Sequence, residues 1–463
     1  MQEKLQKDTP KGDKASIPLR GHALIFPLWN PPFENGQEGK KDDKPVVYYA
    51  SVSGDAIGSW NVSKVILGKM SSIAMDDKIG YASGENGLLM KTTDKGNSWS
   101  VIPSIGSEPY VEMCMVGSDR LFALKSNGDL SELDLSTYTS RRITSNVKHI
   151  SGGDRLYFLK EDGGKLTLYK GGTGQEKTKI IDLPVSSVVD FAVLGSDSQL
   201  DVYYINASNG LVKMDVHKEK KTYKNDGQQI DSKVSDVKRI VASSDGKLYM
   251  RVKDALHIYE GQGKSVILSV ENDDAWGVSA GGRFIVAHDN QLKYAENNSY
   301  KVSSIQLNRL NAVGVNDKKA LIVGDKGVVL YSSNVQSQVF KLLPAVAAVN
   351  LLSVDYANIN KKEYAIVGGV NGTLLSFNSS RERFDKYSIP NSPTEDITAV
   401  RLHSNASLFL GTKSKSVIWV SLSGPTNNGS EKVSFGVNAI DCTNDKVWMV
   451  GDDGGVIESD YKK

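Results

Sequence analysis

One kind of hairpin recurs along most of this chain of 463 residues, and it constrains the fold more than any other feature. The clearest copies read IGYASGENGLLMKTTD from residue 79, KALIVGDKGVVLYSSN from 319, EYAIVGGVNGTLLSFN from 363 and KVWMVGDDGGVIESD from 446. In each copy two apolar strands flank a turn with glycines in G-x-x-G spacing, as expected of a turn that needs positive φ. The glycine pairs are Gly84 and Gly87, Gly324 and Gly327, Gly369 and Gly372, and Gly451 and Gly454.

Six weaker hairpins, near residues 120, 155, 201, 247, 283 and 407, bring the number of repeated units to ten. Their spacing of roughly 40 residues is that of a four-stranded propeller blade. Two-residue alternation recurs throughout and helical periodicity is nearly absent. The sequence therefore predicts an all-β fold, a single β-propeller of about ten short four-stranded blades. If some weaker hairpins are insertions, seven or eight larger blades are the alternative.

The ends of the chain suggest how such a ring closes. The last repeat supplies three strands, and residues 59–67 parallel the outermost strand that follows the hairpin at residue 79. We predict that 59–67 is a clasp strand that pairs with the C-terminal blade and completes it. The propeller then spans 46–463, and 1–45 is a polar, partly mobile arm. The apolar patch at 23–33 is a strip that docks on the globular body or a binding motif for another protein.

One octet after the first hairpin has a pattern of its own. Residues 92–99 read TTDKGNSW and fit the S/T-x-D-x-G-x-S/T-W pattern of an Asp-box turn. The aspartate can accept backbone N–H bonds across the turn, the glycine supplies its unusual φ, and the tryptophan covers the hairpin. We therefore interpret the octet as a structural element and not as an active site; its key residues are Thr92, Asp94, Gly96, Ser98 and Trp99.

The stretch from Trp60 to Pro103 resembles the repeat of the photosystem II stability and assembly factor propellers and their bacterial relatives. In that repeat a W-x-x-V strand precedes an apolar strand, a G-x-x-G hairpin and an Asp box. The Asp box (BNR repeat) is also shared with sortilin-type receptors and sialidases. The resemblance implies a non-catalytic, extracytoplasmic or lumenal scaffold that holds a partner protein through a basic arginine patch. The close arginine pairs of this chain are the candidate contacts, Arg141 with Arg142 and Arg381 with Arg383.

Composition excludes several other classes. Acidic and basic residues nearly cancel to a net charge of +2, so no global field favours nucleic acid or an anionic membrane. No apolar run is long enough to span a bilayer, and the first residues are too polar for a signal peptide. The two cysteines, Cys114 and Cys442, are expected to be free thiols. The six histidines have no metal-like spacing, so no metal or cofactor is predicted.

The function expected from the sequence is a non-catalytic propeller scaffold that binds another protein, as an assembly factor or a subunit of a larger complex. The alternative is an Asp-box propeller that binds or hydrolyses glycans. The arginine triad, nucleophilic tyrosine and acid of a sialidase are not marked in the sequence, so no catalytic residue is predicted. An extracytoplasmic location, with the signal peptide missing from the given chain, is preferred over a cytoplasmic one.

Overall fold

The computed structural model describes residues 64–460 except for the gaps 172–176, 197, 220–221, 232–234, 244–245, 254, 260–263, 270–274, 279–282, 289, 297–298, 317, 346–347, 390–391, 423–427 and 444–445. Before residue 64 it describes only the strands given below. Within this part of the chain the helical segments are four 3₁₀ turns, Glu85–Gly87, Asp325–Gly327, Val335–Ser337 and Asp452–Gly454. None of its helices has the length and apolar character that crossing a membrane requires. The all-β prediction is confirmed.

The N-terminal strands form a small sheet. Its members are β1 (Ala23–Leu28), β2 (Val46–Ser53), β3 (Ala56–Ile57) and β4 (Asn61–Val62), and β5 (Lys64–Ile66) follows. In this sheet β2 pairs antiparallel with β1, β3 and β4. Part of the apolar patch in the predicted arm is thus a strand paired with the chain's own backbone, and the rest of 1–45 lies outside the described residues.

Six antiparallel sheets follow in chain order, each with its strands in sequential order. The first three are β6 (Met70–Met75), β7 (Gly80–Gly84), β8 (Leu89–Thr92) and β9 (Ser98–Ile102); β10 (Tyr110–Val116), β11 (Arg120–Lys125), β12 (Leu130–Asp134) and β13 (Thr139–Thr144); and β14 (Val147–Ser151), β15 (Tyr157–Asp162), β16 (Lys165–Gly171) and β17 (Lys177–Asp182). The next three are β18 (Asp190–Ser196), β19 (Gln199–Ile205), β20 (Leu211–Glu219) and β21 (Thr222–Asp231); β22 (Val237–Ala242), β23 (Leu248–Val252), β24 (Ala255–Tyr259) and β25 (Lys264–Ser269); and β26 (Ala275–Val278), β27 (Phe284–His288), β28 (Gln291–Glu296) and β29 (Ser299–Val302). A further strand, β30 (Ser304–Gln306), joins the first sheet beside β9.

Four more sheets complete the described chain. They are β31 (Leu310–Asn316), β32 (Lys319–Gly324), β33 (Val329–Ser332) and β34 (Val339–Leu343); β35 (Leu351–Ile359), β36 (Lys362–Gly369), β37 (Leu374–Asn378) and β38 (Arg383–Lys386); β39 (Ile397–His403), β40 (Ser407–Thr412), β41 (Ser416–Ser421) and β42 (Gly429–Lys432); and β43 (Val437–Cys442), β44 (Lys446–Gly451) and β45 (Val456–Asp460). We call the sheets from β6 onward the first to the tenth. Each of the ten hairpins identified in the sequence lies in one of them.

The chain divides into two compact units. One is Gly68–Ile305, which we call the six-sheet unit, and the other is Met1–Leu67 with Gln306–Lys463. In the six-sheet unit the first strands of all six sheets (β6, β10, β14, β18, β22 and β26) line one cavity, and β6 contacts both β10 and β26. These sheets are therefore arranged like propeller blades. The predicted single closed ring is not found in the described part of the chain, because six sheets already enclose a cavity of their own.

The predicted closure of the last sheet is wrong. Strand β5 pairs in parallel with β34, with Lys64 opposite Val339 and Ile66 opposite Lys341, and so extends the seventh sheet. The preceding β4 pairs with β2. The tenth sheet has three strands among the described residues. The repeat pattern misled the prediction because it identifies strands by analogy, whereas pairing is decided by which edge is available and in which direction.

The repeated turns use their two glycines differently. The second glycine of each pair has a left-handed backbone, with φ of +79° at Gly87 and +74° at Gly327, as predicted. The first glycine is extended, with φ of −158° at Gly324. A Cβ at Gly324 would lie 2.1 Å from the carbonyl oxygen of Arg309. Its role is thus to let two strands approach closely.

The core of each unit lies between neighbouring sheets. Between the third and fourth sheets the buried cluster includes Leu168, Phe191, Val202 and Tyr204. Their side chains come from the alternate positions that the two-residue pattern marks as apolar. Each such side chain contributes about 1.5–3 kcal/mol by leaving water. Packing between sheets therefore holds the first strands in place around the cavity.

Candidate functional site

The six-sheet unit contains a cavity on which all six of its sheets converge. The cavity has a volume of about 450 Å³ and is lined by the six first strands. A side chain on a first strand that points inward therefore lies near the equivalent side chains of both neighbouring strands. The site is built from such equivalent positions.

Polar side chains of these strands accept hydrogen bonds from the backbone of the next first strand. The pairing of β10 with β11 and of β14 with β15 slips by one residue near the start of β10 and of β14, which turns a polar residue toward the neighbouring sheet. Four such hydrogen bonds follow one another: Met113 N–H to Ser72 Oγ (2.8 Å), Ile150 N–H to Glu112 Oε2 (2.9 Å), Val193 N–H to Ser151 Oγ (3.1 Å) and Ile240 N–H to Asp190 Oδ2 (2.9 Å). These bonds satisfy amide groups that no sheet pairing satisfies.

Two of these polar side chains, Glu112 and Asp190, lie close to the imidazole of His149 on β14. His149 Nδ1 lies 2.7 Å from Oε1 of Glu112 and 4.0 Å from Oδ1 of Asp190. The imidazole also hydrogen-bonds to the backbone of Val188. All three side chains are half-buried, with exposed fractions of 16–25%. We call Glu112, His149 and Asp190 the Glu–His–Asp cluster.

Burial and charge shift the pKa values of this cluster. Burial raises the pKa of Asp190 to about 6, and the carboxylate of Glu112 adds to the rise, while His149 opposes it. Burial alone would lower the pKa of His149, but the contacts with Glu112 and Asp190 outweigh it and raise that pKa. The imidazolium form is therefore stabilised between the two carboxyl groups. The positive charge of Arg239, on the neighbouring first strand β22, also lowers the pKa of Asp190.

The residues that directly precede Glu112, His149, Asp190 and Arg239 in the sequence are all exposed. Val111 and Val189 expose 37% and 43% of their surface, although most valines of the chain are buried. Lys148 and Lys238 occupy the equivalent positions on β14 and β22 and are exposed too. Val111, Lys148 and Lys238 lie on β10, β14 and β22, and Val189 directly precedes β18, so valine, lysine, valine and lysine follow one another at one end of the cavity. We call these four residues the rim.

A second concavity adjoins the rim. It has a volume of about 510 Å³ and lies between the second and third sheets, where Val111 and Lys148 form part of its wall together with the turn at Asn127 and Gly128. Val111 lines both concavities. A protein segment bound at Val111 would therefore contact both concavities at the same time.

The residues of the predicted Asp-box turn form a hydrogen-bonded hairpin. Thr92 Oγ1 donates to Asp94 Oδ1 (2.8 Å) and accepts from Gly96 N–H (3.0 Å), and Asp94 accepts from the N–H (2.9 Å) and the hydroxyl (2.6 Å) of Ser98. Gly96 has φ of +80°. Trp99 is fully buried.

This turn lies at the seam where the first sheet of the six-sheet unit meets the sixth. Ser303 Oγ donates to the carbonyl of Gly96 (2.6 Å), Ser304 N–H to that of Asn97 (2.9 Å), and Arg283 Nη1 to Asn97 Oδ1 (3.1 Å). The sequence did not indicate this position, because the contacts join residues about 200 positions apart along the chain.

The four candidate arginines occupy two separate sheets. Arg141 pairs with Glu132 and Arg142 with Asp129 (2.8 Å) on the outer part of the second sheet. In the eighth sheet Arg383 pairs with Asp385 (3.2 Å), and Arg381 belongs to the turn before β38. The two pairs belong to different units. Arg141, Arg142 and Arg383 each have a carboxylate partner within their own sheet, and a role of the four arginines in partner contact stays a prediction.

The Glu–His–Asp cluster was not predicted from the sequence. Its members are separated along the chain and carry no motif of their own. The signal available was positional, since each follows an exposed valine or lysine near the start of a first strand in the repeat. Cys114 is buried and Cys442 half-buried, and both are free, as predicted.

No family model matches the chain, and no curated protein matches it. Among solved structures it is similar to an ancestral GH74 enzyme, with 10% identity, 85% of this chain and 77% of that chain covered, and a TM-score of 0.35. The extracellular domain of a putative one-component system from B. thetaiotaomicron has 11% identity, coverage of 92% and 71%, and a TM-score of 0.28. The computationally designed Ika8 protein has 10% identity, coverage of 86% and 99%, and a TM-score of 0.27. At such TM-scores these similarities support no conclusion about function, and the propeller-like arrangement rests on the strand pairing and the cavity.

Proposed function

We propose that the chain is a non-catalytic propeller-like scaffold that binds another protein, and that the rim of the six-sheet unit is its contact surface. The observation that carries the proposal is the pair of exposed valines: Val111 on β10, which precedes Glu112, and Val189, which directly precedes β18 and its Asp190. Apolar side chains exposed beside a concavity are typical of interaction sites.

Lys148 and Lys238 define the charge of the partner. They alternate with the two valines, so the surface fits an apolar protein segment that carries acidic residues. Lys148 already pairs with Glu161 at 3.0 Å, which leaves a partner carboxylate to compete for it. Binding should therefore weaken as salt concentration rises.

Glycan binding is the weaker alternative. Sugars are commonly bound on exposed aromatic faces, whereas the aromatic residues that line the cavity, Phe191 and Trp276, are 2% and 3% exposed. Catalysis is also disfavoured in this proposal, because Glu112 and Asp190 each use one carboxylate oxygen to bind a backbone N–H of the next strand. These two hydrogen bonds position the neighbouring first strands.

The test begins with the purified chain as bait in extract of its source, followed by affinity measurement with the purified captured protein. The double variant Val111→Glu, Val189→Glu should weaken binding at least tenfold. Val302→Glu is the matched control, since Val302 is 57% exposed in the same unit but lies on β29, away from the rim. Equal loss with the control, or no loss with the double variant, contradicts the rim as the contact surface. Retention on a glycan array without a protein partner contradicts the scaffold function itself.

A further inference from the structure

The Glu–His–Asp cluster brings together three side chains that can bind a metal ion. Oε1 of Glu112, Nδ1 of His149 and Oδ1 of Asp190 all lie within 4.8 Å of one another. An imidazole and two carboxylates are ligands of first-row divalent ions, whereas Mg²⁺ and Ca²⁺ prefer oxygen ligands alone. The cavity is adjacent, because Glu112 and Asp190 both belong to its lining.

Groups outside the cluster hold its members in place. The second oxygen of Glu112 accepts from Ile150 N–H, the second oxygen of Asp190 accepts from Ile240 N–H, and His149 hydrogen-bonds to the backbone of Val188. Oδ1 of Asp190 also accepts from the N–H of Phe191 at 2.9 Å. Metal-binding histidines and carboxylates are characteristically oriented by such outer hydrogen bonds. Here the bonds come from the backbone of first strands, which the sheets fix rigidly.

We propose that Glu112, His149 and Asp190 bind one first-row divalent transition ion, with Zn²⁺ as the preferred ion and water from the cavity as a further ligand. The ion takes the place of the proton between His149 and Glu112, so the neutral imidazole and two carboxylates balance its charge. Zinc bonds of about 2.0–2.1 Å set tetrahedral ligands roughly 3.3 Å apart. The 2.7 Å contact of His149 with Glu112 must lengthen and its 4.0 Å separation from Asp190 must shorten, so ion binding requires rotation of these side chains.

Such an ion would join three consecutive sheets. Glu112 is on β10, His149 on β14 and Asp190 on β18, so coordination links the second, third and fourth sheets directly. The expected consequence is a six-sheet unit that melts at a higher temperature with the ion than without it. This inference does not depend on the rim or on a protein partner.

The test uses the full chain freed of metal by a chelator and titrated with Zn²⁺ by calorimetry. We expect one equivalent to bind and to raise the melting temperature, and Co²⁺ to give the absorption bands of a low-symmetry tetrahedral site. Glu112→Gln and Asp190→Asn each keep an oxygen that can accept the backbone N–H but lose the charged ligand. Each should weaken Zn²⁺ binding at least tenfold.

The control is His217→Gln, because His217 and Glu219 form a two-residue pair on β20 at 3.2 Å. This variant should bind Zn²⁺ like the unaltered chain. The proposal is overturned if the folded, unaltered chain binds no Zn²⁺, or if Glu112→Gln and Asp190→Asn both bind as tightly as it does. Circular dichroism of the metal-free variants shows whether they are folded; if one is not, the other decides the outcome.

Discussion

The turn at the seam of the six-sheet unit allows a sharp test of the packing described above. We expect Gly96→Ala to destabilise this unit by two separable effects. The first is conformational, because φ at Gly96 is +80° and a non-glycine residue in a left-handed backbone costs about 1–2 kcal/mol. The second is steric, because the new Cβ would lie 2.7 Å from Cγ1 of Ile285 in the sixth sheet. Overpacking of this kind costs about 1–3 kcal/mol, so the total is about 2–5 kcal/mol.

Gly164→Ala is a matched control for the conformational part. Its φ is +78°, and no atom lies within 4 Å of a Cβ built there. It should cost about 1–2 kcal/mol, and the excess in Gly96→Ala measures the contact across the seam. Ile285→Ala removes the obstructing Cγ1, so the double variant Gly96→Ala, Ile285→Ala should cost about 1–3 kcal/mol less than the sum of the two single variants.

Hydrogen exchange of backbone amides in the six-sheet unit, followed by mass spectrometry in increasing urea, resolves these differences unit by unit. When exchange is governed by the opening equilibrium, each loss of about 1.4 kcal/mol in the free energy of unfolding speeds amide exchange about tenfold. The reasoning is refuted if Gly96→Ala exchanges no faster than Gly164→Ala. Strict additivity of Gly96→Ala and Ile285→Ala would likewise show that the two residues do not press on each other.

Three further predictions concern single side chains. Burial alone would raise the pKa of Asp94, but the hydrogen bonds from Ser98 and Thr92 lower it overall. The stabilisation by Asp94 is therefore present above the pKa that its carboxyl has in the unfolded chain, and it is lost as pH falls through the lower pKa of the folded chain. Asp94→Asn should therefore flatten the acid side of a plot of urea midpoint against pH. An unchanged slope would contradict this. In the other unit the buried Asp355 accepts a hydrogen bond from Leu402 N–H at 2.8 Å and lies 3.7 Å from Arg401, so Asp355→Ala should lower the free energy of unfolding by about 3 kcal/mol. Asp385→Ala removes an exposed ion pair with Arg383 and should lower it by less than about 1 kcal/mol. Similar losses for the two variants in urea melts would argue against the role of burial. Burial raises the pKa of the Cys114 thiol well above its usual range, so a thiol reagent should label Cys114 only after the chain unfolds. The half-buried Cys442 should be labelled sooner. Rapid labelling of Cys114 in the native chain would show that β10 opens readily.

The sequence predicted the sheets well and their assembly poorly. Two-residue alternation and the positive φ of Gly87 and Gly327 are local properties, so all ten hairpins could be located from the printed chain. How many sheets share one cavity depends on packing between first strands, which the hairpin pattern does not encode. The parallel pairing of β5 with β34 is likewise a long-range choice between available edges.

The candidate site was missed for a related reason. Glu112, His149 and Asp190 become neighbours only when three first strands stand side by side, and a one-residue slip in pairing turns Glu112 and His149 toward the next sheet. Such a slip leaves no mark in the alternation of apolar residues. Arg141 and Arg142, which are adjacent in sequence, are bound to carboxylates on their own sheet, and their role in partner contact stays a prediction.

The pairing of β5 with β34 also has a consequence for biosynthesis. Lys64–Ile66 must wait for Val339–Lys341, and the whole six-sheet unit is synthesised in between. That unit can fold as soon as β30 has joined β9, since its own seam is then closed. The unit formed by the flanking segments cannot, because β5 has no partner edge until β34 emerges, although β1 to β4 pair with one another. Folding of this chain is therefore expected to proceed from the middle outward, and β5 is the strand that stays unpaired longest.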